Sequence, residues 1–185
     1  DQMPALPVLN YDNSRLLPES YTGTLITSRE IKGLELNAGR FTAESRKSDE
    51  GRDSGGLKCI NVLGGSYQST ERFKGALYAS DVEDVLKKQY VNANYVLPFN
   101  KDQSLTLDFN GYRTKLDNSY VRENGVTGDD NKIWSLAATF ATGPHSFTLA
   151  HQRSTGDSNL GYAYGGYQKD QNRVGDGGNT IYLAN

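Results

Sequence analysis

Cysteine, long apolar runs and a leader-like start are all scarce or absent in this chain of 185 residues. The single cysteine, Cys59, excludes an internal disulfide and a cysteine-based metal site, and low cysteine content is typical of exported proteins. No stretch approaches the roughly 18 consecutive apolar residues of a membrane-spanning helix. Residues 1–9 also lack the basic start and apolar run of a signal peptide. Any membrane segment in this chain must therefore be built from strands.

Charge of one sign is missing too, because 20 Lys and Arg are mixed with 22 Asp and Glu for a net charge of -2. Such a balance provides no field that would attract nucleic acid, which is therefore not an expected partner. Hydrophobic residues make up only 36% of the chain, beside 20 glycines and 12 tyrosines. Soluble globular domains are closer to half apolar, so something other than a thick apolar core organises this chain.

The apolar residues that are present alternate with polar ones, which is the period of a β-strand with two different faces. Residues 104–112 show it best, since Leu105, Leu107 and Phe109 oppose Thr106 and Asp108. The pattern recurs clearly at 91–97 and 133–141, and more weakly at 21–28, 33–42, 57–67, 73–80, 146–152 and 179–183. The sequence therefore predicts nine strands and no helix.

The links between these strands alternate in length. Short links at 29–32, 68–72, 98–102 and 142–144 interleave with longer ones at 43–56, 115–131 and 153–178 and a shorter member at 81–86. This parity is typical of an up-and-down membrane barrel, whose water-filled lumen also accommodates a polar face rich in Asn, Asp, Ser and Thr. The alternative is a soluble secreted β-sandwich binding module of lectin-like type, which would bury its apolar face against a second sheet.

A family resemblance covers nearly the whole chain. It rests on residues 13–20 (NSRLLPES), 33–42 (GLELNAGRFT), 90–95 (YVNANY), 102–110 (DQSLTLDFN), 133–138 (IWSLAA), 145–150 (HSFTLA) and 180–185 (TIYLAN). In this order, these segments resemble outer-membrane porins of the OprD family. The resemblance implies an all-β, antiparallel transmembrane barrel in the bacterial outer membrane, of eighteen strands in the family and about nine here.

By the same resemblance, residues 1–185 form one partial barrel domain whose N- and C-terminal parts are missing. The chain is expected to begin inside the third extracellular loop, so that residues 1–19 form a constriction loop folded into the pore. Residues 153–178 would form a second long pore loop. The chain is expected to stop within the strand that follows the seventh extracellular loop.

The implied function is passive, selective diffusion of small water-soluble solutes that carry a carboxylate, including amino acids, small peptides and organic acids. Such a channel is not an enzyme and needs no cofactor. Its expected partners are these solutes and outer-membrane lipid, and a homotrimer is compatible with a porin although no residue pattern encodes it.

The resemblance also nominates residues for the constriction. Arg15 would turn its guanidinium to the narrowest part of the pore, and the alternative is that it anchors the loop to an acidic wall residue such as Asp12. Asp12 would provide an acidic counter-surface for a solute amino group, or simply form a turn. Tyr162 and Tyr164 would offer hydroxyls and ring faces at the eyelet, or pack the loop on the barrel rim. Asn179 stands where some relatives have an acidic residue, which argues against basic amino acids as solutes.

Four further cations are candidates for a basic track along the lumen: Arg40, Lys58, Arg113 and Arg153. Each lies close to a strand end, so the alternative is that these side chains extend to lipid headgroups or solvent.

Catalytic and metal sites are not expected. His145 and His151 fall on the same strand face as Phe147 and Leu149, which places them outward or in a turn, and no nucleophile motif accompanies them. The glycine-rich residues 175–178 lack the carboxylate repeat of a calcium loop and are interpreted as a flexible loop.

Overall fold

One antiparallel sheet dominates the computed structural model, which describes residues 1–11, 18–46, 50–125 and 128–156. In this sheet every neighbour in space is also a neighbour in sequence. Two short strands, β1 (Ala5–Leu6) and β2 (Leu9–Asn10), pair with each other as a separate hairpin. The long strands are β3 (Ser20–Ser28), β4 (Leu34–Ser45), β5 (Ile60–Gln68), β6 (Phe73–Val82), β7 (Leu86–Asn100), β8 (Gln103–Leu116), β9 (Asp130–Thr142) and β10 (His145–Gly156).

These eight long strands confirm eight of the nine predicted from alternation, and the ninth, at 179–183, lies outside the described residues. Several run further than predicted. β7 covers Leu86–Asn100 where alternation indicated only 91–97. At its start Lys87, Lys88 and Gln89 show no contrast between an apolar and a polar face, yet all three are paired with β6. The backbone ladder continues where the side-chain period cannot be read.

A short helix, α1 (Asn118–Asn124), makes the prediction of no helix wrong. Its start is capped by Asp117, whose carboxylate accepts a 2.8 Å hydrogen bond from the Ser119 N–H. Its end is closed by Gly125 in the left-handed conformation (φ 61°), whose N–H donates to the Val121 carbonyl. Seven residues are too few to show an apolar period, so only these two caps mark the helix in the sequence.

The connections confirm the predicted difference between the two ends of the sheet. At one end, here called the turn end, the strands are joined by residues 29–33, 69–72, 101–102 and 143–144. At the other, the loop end, the links at 46–59 and 117–129 are long and the link at 83–85 is short, as expected. In outer-membrane barrels the short turns are periplasmic and the longer loops extracellular.

The two faces of the sheet differ sharply. On one, here called the open face, Ile26, Leu63, Leu77 and Leu149 are 64–80% exposed. On the other, the covered face, the N-terminal segment 1–11 packs against the strands and buries a row of paired residues. That row runs Tyr78, Tyr90, Tyr112 and Ile133.

The predicted division of β8 is confirmed by this arrangement. Leu107 pairs with Tyr95 and Ala138 on the open face, while Asn110 on the covered face is 5% exposed. A broad apolar surface left uncovered marks contact with another apolar phase or partner. No helix within the described residues is long and apolar enough to cross a membrane.

Candidate pore-lining face

Polar side chains gather on the covered face towards the turn end. Asp108 is the centre of this group, because its carboxylate accepts hydrogen bonds from the amides of Asn92 (3.1 Å), Asn94 (3.1 Å) and Asn110 (2.7 Å). The Tyr90 hydroxyl donates to the Asn110 amide oxygen at 2.8 Å. These three amide donors gather around one carboxylate and make Asp108 the acceptor that joins β7 to β8 on this face.

A second polar group lies on β4 and its neighbours. The Asn37 amide donates to the Tyr78 hydroxyl at 3.0 Å and to the Glu35 carboxylate at 3.2 Å, and Thr27 donates to the Asn37 oxygen at 2.9 Å. Glu35 also pairs with Arg29 in the turn, with 2.6 Å between Oε2 and Nε. Together the two groups give the covered face the hydroxyl, amide and carboxylate oxygens that suit an aqueous surface.

The N-terminal segment crosses the covered face closer to the loop end. Its Pro7 carbonyl accepts a 3.2 Å hydrogen bond from the Tyr112 hydroxyl, and its Val8 carbonyl accepts one of 3.3 Å from Ser80. Gln2 is bridged to Tyr21 on β3 by two backbone hydrogen bonds of 2.7 and 2.8 Å. These bonds fix the segment across the strands instead of leaving it above the sheet.

A cavity of about 510 Å³ opens between this segment and the polar groups. It is lined on the covered face by Pro7, Glu35, Ser66, Tyr78, Tyr90 and Asn92. A cavity of this size accommodates a small organic molecule, and its walls offer both ring faces and hydrogen-bonding groups.

Lys88 is a cation that the sequence reasoning missed. It is fully buried on the covered face, where its backbone pairs with Ser80 and Thr114. The available signal was its spacing, since positions 88, 90, 92 and 94 share one face of a strand and Asn92 and Asn94 form the polar side of the alternation at 91–97. The missing step was to extend the strand beyond its visible alternation.

The five residues nominated for the constriction all lie outside the described residues: Arg15, Asp12, Tyr162, Tyr164 and Asn179. They remain predictions.

The four basic-track candidates can be placed. Arg40, Arg113 and Arg153 lie on the open face, in register with Thr24, Gln89 and Trp134 respectively. They therefore do not line the covered face, and the expectation of a lumenal track through them is corrected by strand register. The headgroup or solvent alternative remains the prediction for these three.

Lys58 is in the link between β4 and β5, at the loop end. Its ammonium nitrogen lies 2.5 Å from the Asp84 carboxylate, and both side chains are more than half exposed. The hydrogen bond and the charge of Asp84 raise the pKa of Lys58 above its ordinary value. Lys58 thus joins two links of the loop end and is not brought to the polar groups of the covered face.

Metal ligation has no support within the described ranges, where no three His, Cys, Asp or Glu side chains cluster around a possible ion. His145 and His151 both lie exposed on the open face, in register with Thr142 and Leu136. The His151 ring is 5.3 Å from that of Trp134, between ring centroids. Neither histidine is brought to the polar groups of the covered face.

Residues 1–185 match the family model described as outer membrane porin, OprD family. The chain belongs to the OprD family of outer-membrane porins. It is 36% identical to Porin D of Pseudomonas aeruginosa over an alignment of length 194, which covers all of this chain and 42% of Porin D.

Solved OprD-family structures resemble the sheet closely. The crystal structure of Acinetobacter baumannii OccAB1 has a TM-score of 0.77 at 36% identity, covering 92% of this chain and 46% of that one. Pseudomonas aeruginosa OpdK, solved with vanillate, has a TM-score of 0.71 at 27% identity, covering 89% of this chain and 45% of OpdK. The chain thus spans less than half the length of these OprD-family proteins, and its eight-stranded sheet corresponds to part of their barrels.

Proposed function

We propose that this chain forms part of a pore through which small water-soluble carboxylates, including amino acids, small peptides and organic acids, diffuse passively across the outer membrane. The observation that supports it best is the cavity beneath the inward-lying N-terminal segment, bounded by the polar groups of the covered face. Passive diffusion makes and breaks no covalent bond, so the proposal includes no catalytic residue and no cofactor.

The chemistry of the covered face fits such passage. Amide and hydroxyl groups replace part of the water around a polar solute, and they hold it weakly enough for release. OpdK was solved with vanillate, a small aromatic carboxylate, which supports this solute class for a relative of similar sheet structure.

A carboxylate also needs a cation, and the cations that line the cavity, Arg29, Lys32 and Lys74, all lie towards the turn end, where Arg29 is already paired with Glu35. Glu35 and Asp108 make the polar groups of the covered face acidic, and Lys74 lies in the same row as Asp108. We therefore propose that Arg15 provides the guanidinium that meets the solute carboxylate through two hydrogen bonds. Asp12, Tyr162, Tyr164 and Asn179 are proposed to complete the eyelet around it.

Single-channel recording of the full-length parent protein in a planar bilayer tests this proposal. We expect discrete open currents that small carboxylates such as vanillate block, and a weaker block after Arg15→Ala. Arg40→Ala is the matched control, since it removes the same group from the open face. Channels blocked equally in wild type and Arg15→Ala would remove Arg15 from the proposal, and the absence of channels in lipid would contradict the pore itself.

A further inference from the structure

The open face carries a groove of about 650 Å³ near the loop end. It forms because Gly111 has no side chain between Val91 and Trp134, its paired neighbours on β7 and β9. Leu63 and Leu77 extend the apolar wall and stand 69% and 66% exposed. The groove is therefore an exposed apolar surface of the kind that a lipid acyl chain can cover.

The end of the groove closest to the loops is cationic. Arg113 and Lys132 both line it, and they face each other directly across the β8–β9 ladder. The guanidinium of Arg113 pairs with Asp130 through contacts of 3.2 and 2.8 Å, and the Lys132 ammonium lies 3.7 Å from the same carboxylate. Arg113 and Lys132 remain 47% and 58% exposed, so one carboxylate orients two cations without covering them.

The neighbouring charges keep this end positive. Lys115, in the next open-face row, lies 3.9 Å from Asp129, and the charges of these two residues offset each other. Arg113 and Lys132 share the single carboxylate of Asp130, so this group of three carries one net positive charge. Arg153 adds another, because it is the direct partner of Trp134 on β10 and is exposed. An anion that approaches the groove therefore meets a net attraction.

Position within the membrane identifies the kind of anion. In an outer-membrane barrel the loop end faces outward, so these cations lie at the outer leaflet, where a tryptophan such as Trp134 also favours the interface. Arginine binds phosphate oxygens through two parallel hydrogen bonds, and a basic group beside an apolar groove suits a phosphorylated lipid.

We propose that this groove is a specific binding site for the phosphorylated glycolipid of the outer leaflet, lipid A. One lipid A phosphate lies against Arg113 and Lys132, and one acyl chain lies along the groove over Gly111. The site is on the opposite face of the sheet from the proposed solute path, so it does not depend on which solute the pore conducts.

The test measures binding of diphosphoryl lipid A to the detergent-purified full-length parent protein by native mass spectrometry. We expect the double variant Arg113→Gln/Lys132→Gln to weaken binding roughly tenfold or more, the size expected for lost charge-assisted hydrogen bonds. Gly111→Leu fills the groove and is expected to weaken binding while leaving both cations in place. Arg40→Gln is the control, because it removes an open-face cation that does not line the groove.

Binding of phosphatidylglycerol and of phosphatidylcholine, each measured separately, distinguishes a specific lipid A site from general attraction to lipid. Binding of phosphatidylglycerol as tight as that of lipid A, or a loss in Arg40→Gln equal to that of the double variant, would overturn the proposal. So would unchanged lipid A binding in the double variant. Each variant is first required to conduct ions in a planar bilayer, so that a misfolded barrel is not read as a lost site.

Discussion

Leu77 and Tyr78 are consecutive residues of β6, yet the first is 66% exposed and the second 7%. The difference repeats along the sheet, where apolar side chains stand uncovered on one face and polar and aromatic groups are packed on the other. The two faces of one sheet are therefore suited to two different environments, one apolar and one aqueous. A protein of this kind needs only one apolar face, and that face is outside, which explains why 36% hydrophobic content suffices.

The largest expected effect comes from placing a charge on the open face. Leu107→Arg, in the middle of β8, is expected to lower the free energy of unfolding from lipid by about 2–4 kcal/mol, because lipid cannot solvate the guanidinium. Thr106→Arg puts the same group on the adjacent, covered face and is expected to cost far less. Chemical denaturation of the full-length parent protein in lipid vesicles measures both. Equal losses would mean that the two faces do not meet different solvents.

A smaller effect should follow from crowding the covered face. A Cβ at Gly64 would overlap the ring of Tyr78, the residue that accepts the Asn37 hydrogen bond. Gly64→Val is expected to destabilise the protein by about 1–3 kcal/mol through this overlap. Gly75→Val on the open face is the control, since the nearest side-chain atom would be 3.4 Å away on Phe73. The same denaturation assay applies, and a Gly75 variant as unstable as the Gly64 variant would contradict the packed covered face.

The third prediction concerns charge and not stability. Asp108→Asn removes a negative charge from the covered face and keeps a side chain of the same shape, so a pore lined by that face should become less cation-selective. Reversal potentials of the full-length parent protein under a salt gradient measure the change. Asp81→Asn, which removes a carboxylate from the open face, is expected to leave the reversal potential where it was. A changed reversal potential in Asp81→Asn, with no change in Asp108→Asn, would contradict the assignment of the covered face to the pore lining.

The smallest effect is local to α1, at the loop end. The side-chain and backbone hydrogen bonds from Ser119 hold the pKa of Asp117 below its ordinary value. A lowered pKa stabilises the folded form at pH above the unfolded value, and that contribution is lost as pH falls through the folded value. Asp117→Ala should therefore speed amide hydrogen exchange at Ser119 a few-fold at neutral pH. The difference from wild type should shrink on acidification, and Asp117→Ser should retain part of the protection.

The alternation at 91–97, 104–112 and 133–141 was enough to predict both the strands and their two faces, because each face meets a different environment and that environment selects the residue type at every second position. It could not predict the full length of β7, where Lys87, Lys88 and Gln89 are all polar although Lys88 alone is buried. The same period, extended past Tyr112, would have placed Arg113 on the face of Phe109. The register of Arg113 with Gln89 and Lys132 establishes that face.

The strictly sequential pairing of the strands has a consequence for how the sheet is made. Each of the seven ladders joins strands that follow one another in the chain, so no pairing requires closing a loop longer than the link at 46–59. The entropy cost of each closure is accordingly small, and contact order stays low for an all-β architecture. The sheet can grow by one hairpin at a time at its edge. In a whole barrel, the pairing of the first and last strands would be the one ladder that joins distant parts of the chain.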